Sequence, residues 1–487
     1  MSLASRLGTR FRTKFIASAI SAASGAILLV ILARLLDPSE YGLLYLAISV
    51  FGTLKLFSKL GIAKSAARYI SEYKETNQEQ IKHIIRFSLF LNLIMITIVS
   101  LVLFIGREHI AFLVGEPDLR PLLLFGILFI GFSTMHTFST LILQGFEAIQ
   151  ATGVISIFHH ITRLIFAIGL VVIGYGVIGA LMGYIAGYAV AAVTGLGYVF
   201  YQYYRHSSSG PIEPGLRRRI AEYSIPITAT DTAGILDKRI DIVLVGFFIG
   251  PVAVAYYTLG KQIITFIESP ITALGFTLSP TYESLSARGD RAKAARIYEE
   301  ALRHGLLLYI PAAAGLALVA EPTVELVFGA DYQGAVPVIQ VLSLYAVLMS
   351  VTKLTSNGLD FLGRAKTRAV VKGATAVLNV ALNILLIPTI GVVGAAIATV
   401  ITYSLYTFAN VYIMHSELGL RIKVLFRHIT LISAITSVMV VVVYLLTNFI
   451  TGFITLFTVV AVGAGIWAVL AVGTGLLEIK KVWSVLS

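Results

Sequence analysis

The stretch EYSIPITATDTAGILDKRIDIVLVGFFIGPVAVAYYTLGKQIITFIE, residues 222–268, reads as two long apolar helices joined at Gly250-Pro251. The first helix carries Asp231, Asp237, Lys238, Arg239 and Asp241, and the second carries Lys261 and Glu268. In water this would be an ordinary charged amphipathic pair. In hydrocarbon each such charge is costly and needs a wet cavity or a partner. The solvent therefore decides the fold, and composition decides the solvent. Of 487 residues, 57% are hydrophobic and only 13% are charged, about half the roughly 25% charged share of a soluble domain. Apolar runs of about 20 residues, enough to cross about 30 Å of hydrocarbon, recur from end to end. The chain reads as an all-α polytopic membrane protein.

About fourteen transmembrane helices are expected, most hairpins being punctuated by Pro or Gly: Asp37-Pro38, Gly174 to Gly176, Gly250-Pro251 and Pro388 to Gly391. The basic start, MSLASRLGTRFRTKF, has no small-residue cleavage site and reads as the lead into a retained first span. Basic residues then fall in alternate loops: Lys64, Arg68 and Lys74; Arg205 and Arg217 to Arg219; Arg288 to Arg303; Arg364 to Lys372; Arg421 to Arg427; and Lys480-Lys481. Since Lys and Arg stay cytoplasmic, the pattern predicts an N-in, C-in protein. The net charge of +12 is thus topological, and no nucleic-acid partner is expected. Absence of cysteine removes disulfides, thiol nucleophiles and iron–sulfur ligation.

An internal repeat runs at an offset of about 213–215 residues. Pro38 matches Pro251, Tyr69 and Ser71 match Tyr282 and Ser284, and GVIGA at 176–180 matches GVVGA at 391–395. Two parallel six-helix lobes around a central cavity follow, with two added C-terminal helices. The expected divisions are an N-lobe at 1–204, a cytoplasmic linker at 205–220, a C-lobe at 221–414, and the last two helices with a tail at 415–487. Such paired repeats suit alternating access. Residues 67–80 and 284–303 read as short amphipathic surface helices, either gating elements or plain connectors.

ILARLLDPSEYGLLYLA (31–47), SPTYESLSARGDRAKAARIYEEALRHG (279–305) and LNVALNILLIPTIGVVGAAIATV (378–400) resemble the polysaccharide-biosynthesis, oligosaccharide-lipid flippase branch of the multidrug/oligosaccharidyl-lipid/polysaccharide (MOP) exporter superfamily. The resemblance spans essentially the whole chain. It implies a flippase that moves a polyprenyl-(di)phosphate-linked oligosaccharide across the cytoplasmic membrane, by way of a cavity lined by the first two helices of each lobe. It names no sugar, and no single residue carries the substrate over.

Helical spacing places the charges in groups at about 100° per residue. Lys261, Thr265, Glu268 and Thr272 form one polar face, and Asp231 and Lys238 form another. Lys353 and Asn357 share a face with Ser343 and Ser350. Lys55 and Lys59 stand one turn apart, and Arg34 and Arg163 are single arginines in their spans. For a diphosphate cargo, Lys and Arg replace lost hydration, and guanidinium can hold phosphate bidentately. The expected substrate-binding set is Arg239, Lys261, Glu268, Lys238, Lys353, Arg34, Lys55, Lys59, Arg163 and Asn357. Asp231, Glu268, Asp237 and Asp241 are candidates for coupling to H⁺ or Na⁺. Bland readings stand beside these. Lys238 has Asp237 and Asp241 close by for a local ion pair, Arg34, Lys55 and Lys59 have the reach to snorkel, and Arg163 suits packing. Ser18, Ser21, Ala22, Gly25, Gly183 and Gly187 suit close helix contact; Pro226 and Pro270 suit bends.

No cofactor, resident metal or catalytic group is expected, and the protein is expected to act as a monomer among membrane lipids. Two rivals are an ion-coupled drug or organic-cation antiporter of the same superfamily and a membrane glycosyltransferase or polymerase. The antiporter would present net carboxylates in its cavity. The enzyme would need an acid pair, histidines or a metal cluster on a sizeable loop, and the largest outer-loop candidates, 106–120 and 321–334, are short.

Overall fold

A computed structural model describes residues 3–207 and 210–477; the side chains of residues 3–15, 229–238, 269, 273, 276 and 286 lie outside the description. Every regular element among the described residues is helical. The helices run α1 (Leu3–Leu35), α2 (Pro38–Lys59), α3 (Ile62–Thr76), α4 (Glu79–Val114), α5 (Leu119–Gly145), α6 (Ile149–Leu170), α7 (Gly176–Val199) and α8 (Leu216–Phe248). They continue as α9 (Pro251–Ala287), α10 (Arg291–Leu318), α11 (Ala320–Thr323), α12 (Val336–Phe361), α13 (Ala365–Ile390), α14 (Val392–Leu418), α15 (Ile422–Thr447) and α16 (Phe453–Gly473). Eleven stretches among the described residues are long and apolar enough to cross a membrane, or up to twelve if the bent α9 is one span. The protein is a multi-pass membrane protein.

The expected punctuation starts and stops these helices. Asp37 caps α2 by accepting the Glu40 amide at 2.8 Å, and Pro38 occupies the first turn, where its missing N–H costs nothing. Pro251 opens α9 in the same way after Gly250, whose φ of 112° suits glycine alone. Pro270 bends α9 by 44°. The 56-residue stretch Ile149–Tyr204 folds back on itself between α6 and α7. There a Cβ on Gly183 would meet the Ala167 backbone nitrogen at 2.2 Å, so the small residues of α7 let two backbones touch.

The chain forms two compact units, residues 1–255 and 256–487. In the first, α8 packs on α2, α3 and α4, while α7 packs on α5 and α6. In the second, α12 packs on α10 and α14, and α15 packs on α10 and α16. A core of Tyr282, Tyr298, Tyr309 and Leu354 sits between these helices, with the Tyr298 and Thr355 hydroxyls bonded at 2.7 Å.

The amphipathic helix expected near residues 67–80 is α3, starting five residues earlier. Ile62, Ala66, Tyr69, Ile70 and Tyr73 are buried along one face, and Arg68, Glu72 and Glu75 are exposed on the other. The second expected connector, at 284–303, is corrected. Its residues extend α9 to Ala287 and begin α10 at Arg291, with only a Gly289 turn between. The Asp290 side chain accepts the Lys293 amide at 3.1 Å and so starts α10 directly.

The stretch between α7 and α8 is fastened to the first unit. Gln80 donates to the Pro211 carbonyl at 2.9 Å and accepts the Glu213 amide at 3.0 Å. Arg219 donates to Glu213 Oε1 at 2.6 Å and to the Tyr73 hydroxyl at 2.8 Å, and Tyr73 donates to Glu213 Oε2. The Tyr73 hydroxyl and the Arg219 guanidinium hold the Glu213 carboxyl below its ordinary range.

Candidate functional site

The first unit gathers cations around two tyrosines of α7. Tyr184 and Tyr188 stand one turn apart, on the helix whose glycines bring it against α6. The Arg163 guanidinium, from α6, lies 5.1 Å from the Tyr184 ring centroid, and Lys55 Nζ, from α2, lies 5.2 Å from that of Tyr188. The Tyr184 hydroxyl meets that of Tyr45 at 3.2 Å, tying α7 to α2. His159 stacks near Tyr188 at 4.5 Å and on His136 at 5.4 Å. Lys59 and Arg239 both act electrostatically on Lys55, and Arg163 and Arg239 both act on Tyr188.

Arg239 reaches this cluster through a notch. Its Nη1 donates to the Ile48 carbonyl of α2 at 2.8 Å. One turn on, Gly52 has no side chain, and a Cβ there would stand 2.3 Å from Arg239 Cζ. The guanidinium thus lies where any other residue of α2 would place its side chain. A backbone carbonyl satisfies one donor of five without neutralising the charge. Among the described residues, Lys55, Arg163 and Arg239 form no ion pair with a carboxylate, and Arg163 Nε is buried with no hydrogen-bond partner. Rings and a carbonyl hold these groups in place without supplying the opposite charge that an anion would bring.

The second unit arranges its charges differently. Glu268 of α9 meets Lys353 Nζ of α12 at 2.5 Å, with both side chains less than a third exposed. The two helices come close because α9 has Gly275 here: a Cβ on it would lie 2.9 Å from the Lys353 carbonyl and 3.1 Å from Asn357 Nδ2. Lys261 rests its ammonium 5.2 Å from the Tyr257 ring centroid, one turn back on its own helix. Asp360, at the end of the Lys353 helix, is held by both branches of Arg368 at 2.7 and 2.8 Å.

The candidates named from sequence therefore divide. Lys55, Lys59, Arg163 and Arg239 come together in the first unit; Lys353 and Glu268 pair in the second, with Asn357 one turn beyond Lys353. Arg34 is exposed at the last turn of α1, and Asp241 is buried in α8. The side chains of Asp231, Asp237 and Lys238 lie outside the described residues. Gly52, Tyr184, Tyr188 and His136 were absent from the sequence set. The Tyr-x-x-x-Tyr spacing on a glycine-rich helix was the available signal for two of them.

Residues 14–285 match the family model described as polysaccharide biosynthesis protein. The chain belongs to that family. A second model, MatE, matches residues 237–385, and the protein is a member of the MOP superfamily. Among curated relatives of this polysaccharide biosynthesis protein is the probable low-salt glycan biosynthesis flippase Agl15 of Haloferax volcanii, 21% identical over 411 residues and covering 84% of each chain. The lipopolysaccharide biosynthesis protein WzxC of Escherichia coli is 22% identical, covering 85% of this chain and 82% of its own. The fold is that of lipid II flippase MurJ, with a TM-score of 0.78, 18% identity, and 94% and 97% of the two chains covered. The protein is a flippase or transporter of this superfamily.

Proposed function

We propose that this protein flips a polyprenyl-diphosphate-linked oligosaccharide from the inner to the outer leaflet of the cytoplasmic membrane by alternating access. The observation that carries the reading is the cluster of Lys55, Arg163 and Arg239, unneutralised by described carboxylates, around Tyr184 and Tyr188. A diphosphate sheds its water only where equivalent charge replaces it, and guanidinium groups do so with paired N–H donors. The tyrosine rings add flat apolar faces of the kind on which sugars and prenyl chains rest. Relatives named as glycan and lipopolysaccharide biosynthesis proteins support the same cargo class.

The proposed topology has fourteen spans, N-in and C-in. It separates α6 from α7 in the 56-residue stretch, treats bent α9 as one span, and adds the charged α8. The repeat-based lobes at 1–204 and 221–414, with 205–220 as linker and 415–487 beyond, belong to the same proposal. Glu268, paired with Lys353, and Asp241, buried in α8, are the described candidates for coupling to H⁺ or Na⁺. The MatE match at 237–385 favours a second reading, antiport of an organic cation.

The test is reconstitution in liposomes with a lipid-linked oligosaccharide, scored by headgroup accessibility from each side. Lys55→Ala/Arg239→Ala is expected to lose flipping while inserting normally. Full flipping by that variant, or uptake of organic cations in its place, would exclude the anionic cargo.

A further inference from the structure

Away from this cluster, the first unit holds a cavity of about 820 Å³ between α4, the end of α7 and the α7–α8 connection. That volume lies within the range of ligand pockets, about 300–1,000 Å³. Its two ends differ. One end carries His83, Arg86 and Arg217, with Ile212 and Tyr204; the other is apolar, formed by Leu89, Phe90, Leu93, Leu196, Val199 and Phe200. Phe90, Leu93 and Phe200 are about half exposed, so the apolar end opens sideways onto the surface that faces lipid. From Arg86 to Leu93 is seven residues, about 10 Å along the helix, which is most of a half-bilayer of about 15 Å.

The cationic end is unspent. Arg86 is exposed and forms no hydrogen bond or ion pair with a described residue, and Arg217 is exposed and lies 5.7 Å from the Phe87 ring centroid. His83, also at this end, holds its Nε2 at 2.8 Å from the Gly210 carbonyl. Two arginines at the mouth of an apolar slot on a lipid-facing wall match one chemistry, a phosphate carrying acyl chains. A zwitterionic lipid would bring its own headgroup cation beside the two guanidiniums, where like charges repel, and a free phosphate would leave the slot unfilled.

We propose that this cavity is a binding site for an anionic membrane phospholipid, separate from the cargo path, whose phosphate is held by Arg86 and Arg217. Because Ile212 belongs to the connection strapped to α3 and α4, and Arg217 to the first turn of α8 that follows it, an occupied site fastens that connection further. The proposal stands independently of the cargo assignment.

The experiment is native mass spectrometry of the full-length, delipidated protein, titrated with phosphatidylglycerol and with phosphatidylcholine. The wild type is expected to hold the first bound phosphatidylglycerol about tenfold more tightly than phosphatidylcholine, a difference of about 1.4 kcal/mol. Arg86→Ala/Arg217→Ala is expected to bind the two alike, while Arg288→Ala/Arg291→Ala, an equal change of charge elsewhere, keeps the preference. Leu93→Trp, which fills the slot and leaves both arginines, is expected to weaken both lipids, and it carries the test if the double variant does not fold. An unchanged preference in Arg86→Ala/Arg217→Ala overturns the proposal. Displacement of phosphatidylglycerol by millimolar inorganic phosphate also overturns it, in favour of a simple anion site.

Discussion

The cationic cluster of the first unit and the Glu268–Lys353 pair of the second are built from the same residue types to opposite ends. In the second unit a lysine finds a carboxylate at 2.5 Å, and the charges cancel where they stand. In the first unit Arg239 is steadied by a carbonyl, and Lys55 and Arg163 by rings. These contacts fix position without cancelling charge. The difference separates charges that a ligand can still use from those already answered within the protein.

The largest expected effect comes from removing the steadied charge. Arg239→Ala removes the guanidinium proposed to hold the diphosphate through a charge-assisted hydrogen bond of about 1.5–3 kcal/mol, so flipping in proteoliposomes should fall about 10- to 100-fold. Arg239→Lys should recover only part of this, since an ammonium lacks the planar fork.

Gly52→Ala should come next. Alanine suits the helix, yet its Cβ would collide with the guanidinium at 2.3 Å. About a tenfold loss of flipping is expected, with normal yield and insertion. Combining it with Arg239→Ala should add nothing, because the notch matters only while the arginine fills it. An additive result would break the link between notch and cluster.

On the other side of the comparison, Glu268→Gln leaves Lys353 unanswered. A thermal-unfolding scan in detergent should show a loss of about 1 kcal/mol, discounted from a fully buried pair because both side chains are partly exposed. Removing both charges in Glu268→Gln/Lys353→Gln should restore most of it, with flipping within about threefold of wild type. If Glu268→Gln also abolishes dependence on a proton or sodium gradient, the pair does coupling work besides holding α9 to α12.

The smallest effect is on acid stability. Glu213 has its carboxyl held below the ordinary 4.5 by Tyr73 and Arg219. The stabilisation is therefore fully present above that value and is lost as pH falls through the lowered one. Melting temperatures measured across pH 3 to 6 should fall more steeply on the acid side for wild type than for Glu213→Gln. Parallel curves would show that the strap bears no stability.

Much of the fold was legible because hydrocarbon imposes length and composition, and Pro and Gly mark the turns. Asp37-Pro38, Gly250-Pro251 and α3 stand close to where periodicity put them. The surface helix expected at 284–303 was misread because its charges extend α9 and α10 beyond their apolar lengths. Amphipathic pattern alone does not distinguish the two. For the site, spacing places Glu268 and Lys261 seven apart on one face, too far for a direct pair on an undistorted helix; it could not supply Lys353, which lies on another helix and pairs with Glu268. Arg239 stands in the expected binding set, and its partner is a main-chain carbonyl, which no side-chain pattern reveals. Gly52 was invisible for the same reason: its role is to be absent beside a residue distant in sequence.

In the proposed function the first unit's cations meet the diphosphate of the cargo. The most direct measurement titrates the purified protein with a short-chain prenyl diphosphate and follows binding by calorimetry in wild type, Lys55→Ala/Arg239→Ala and Glu268→Gln/Lys353→Gln. The first double variant is expected to bind at least about tenfold more weakly, a difference of about 1.4 kcal/mol, and the second to bind as wild type. Equal affinity in wild type and Lys55→Ala/Arg239→Ala, or a loss confined to the Glu268 and Lys353 changes, would contradict it.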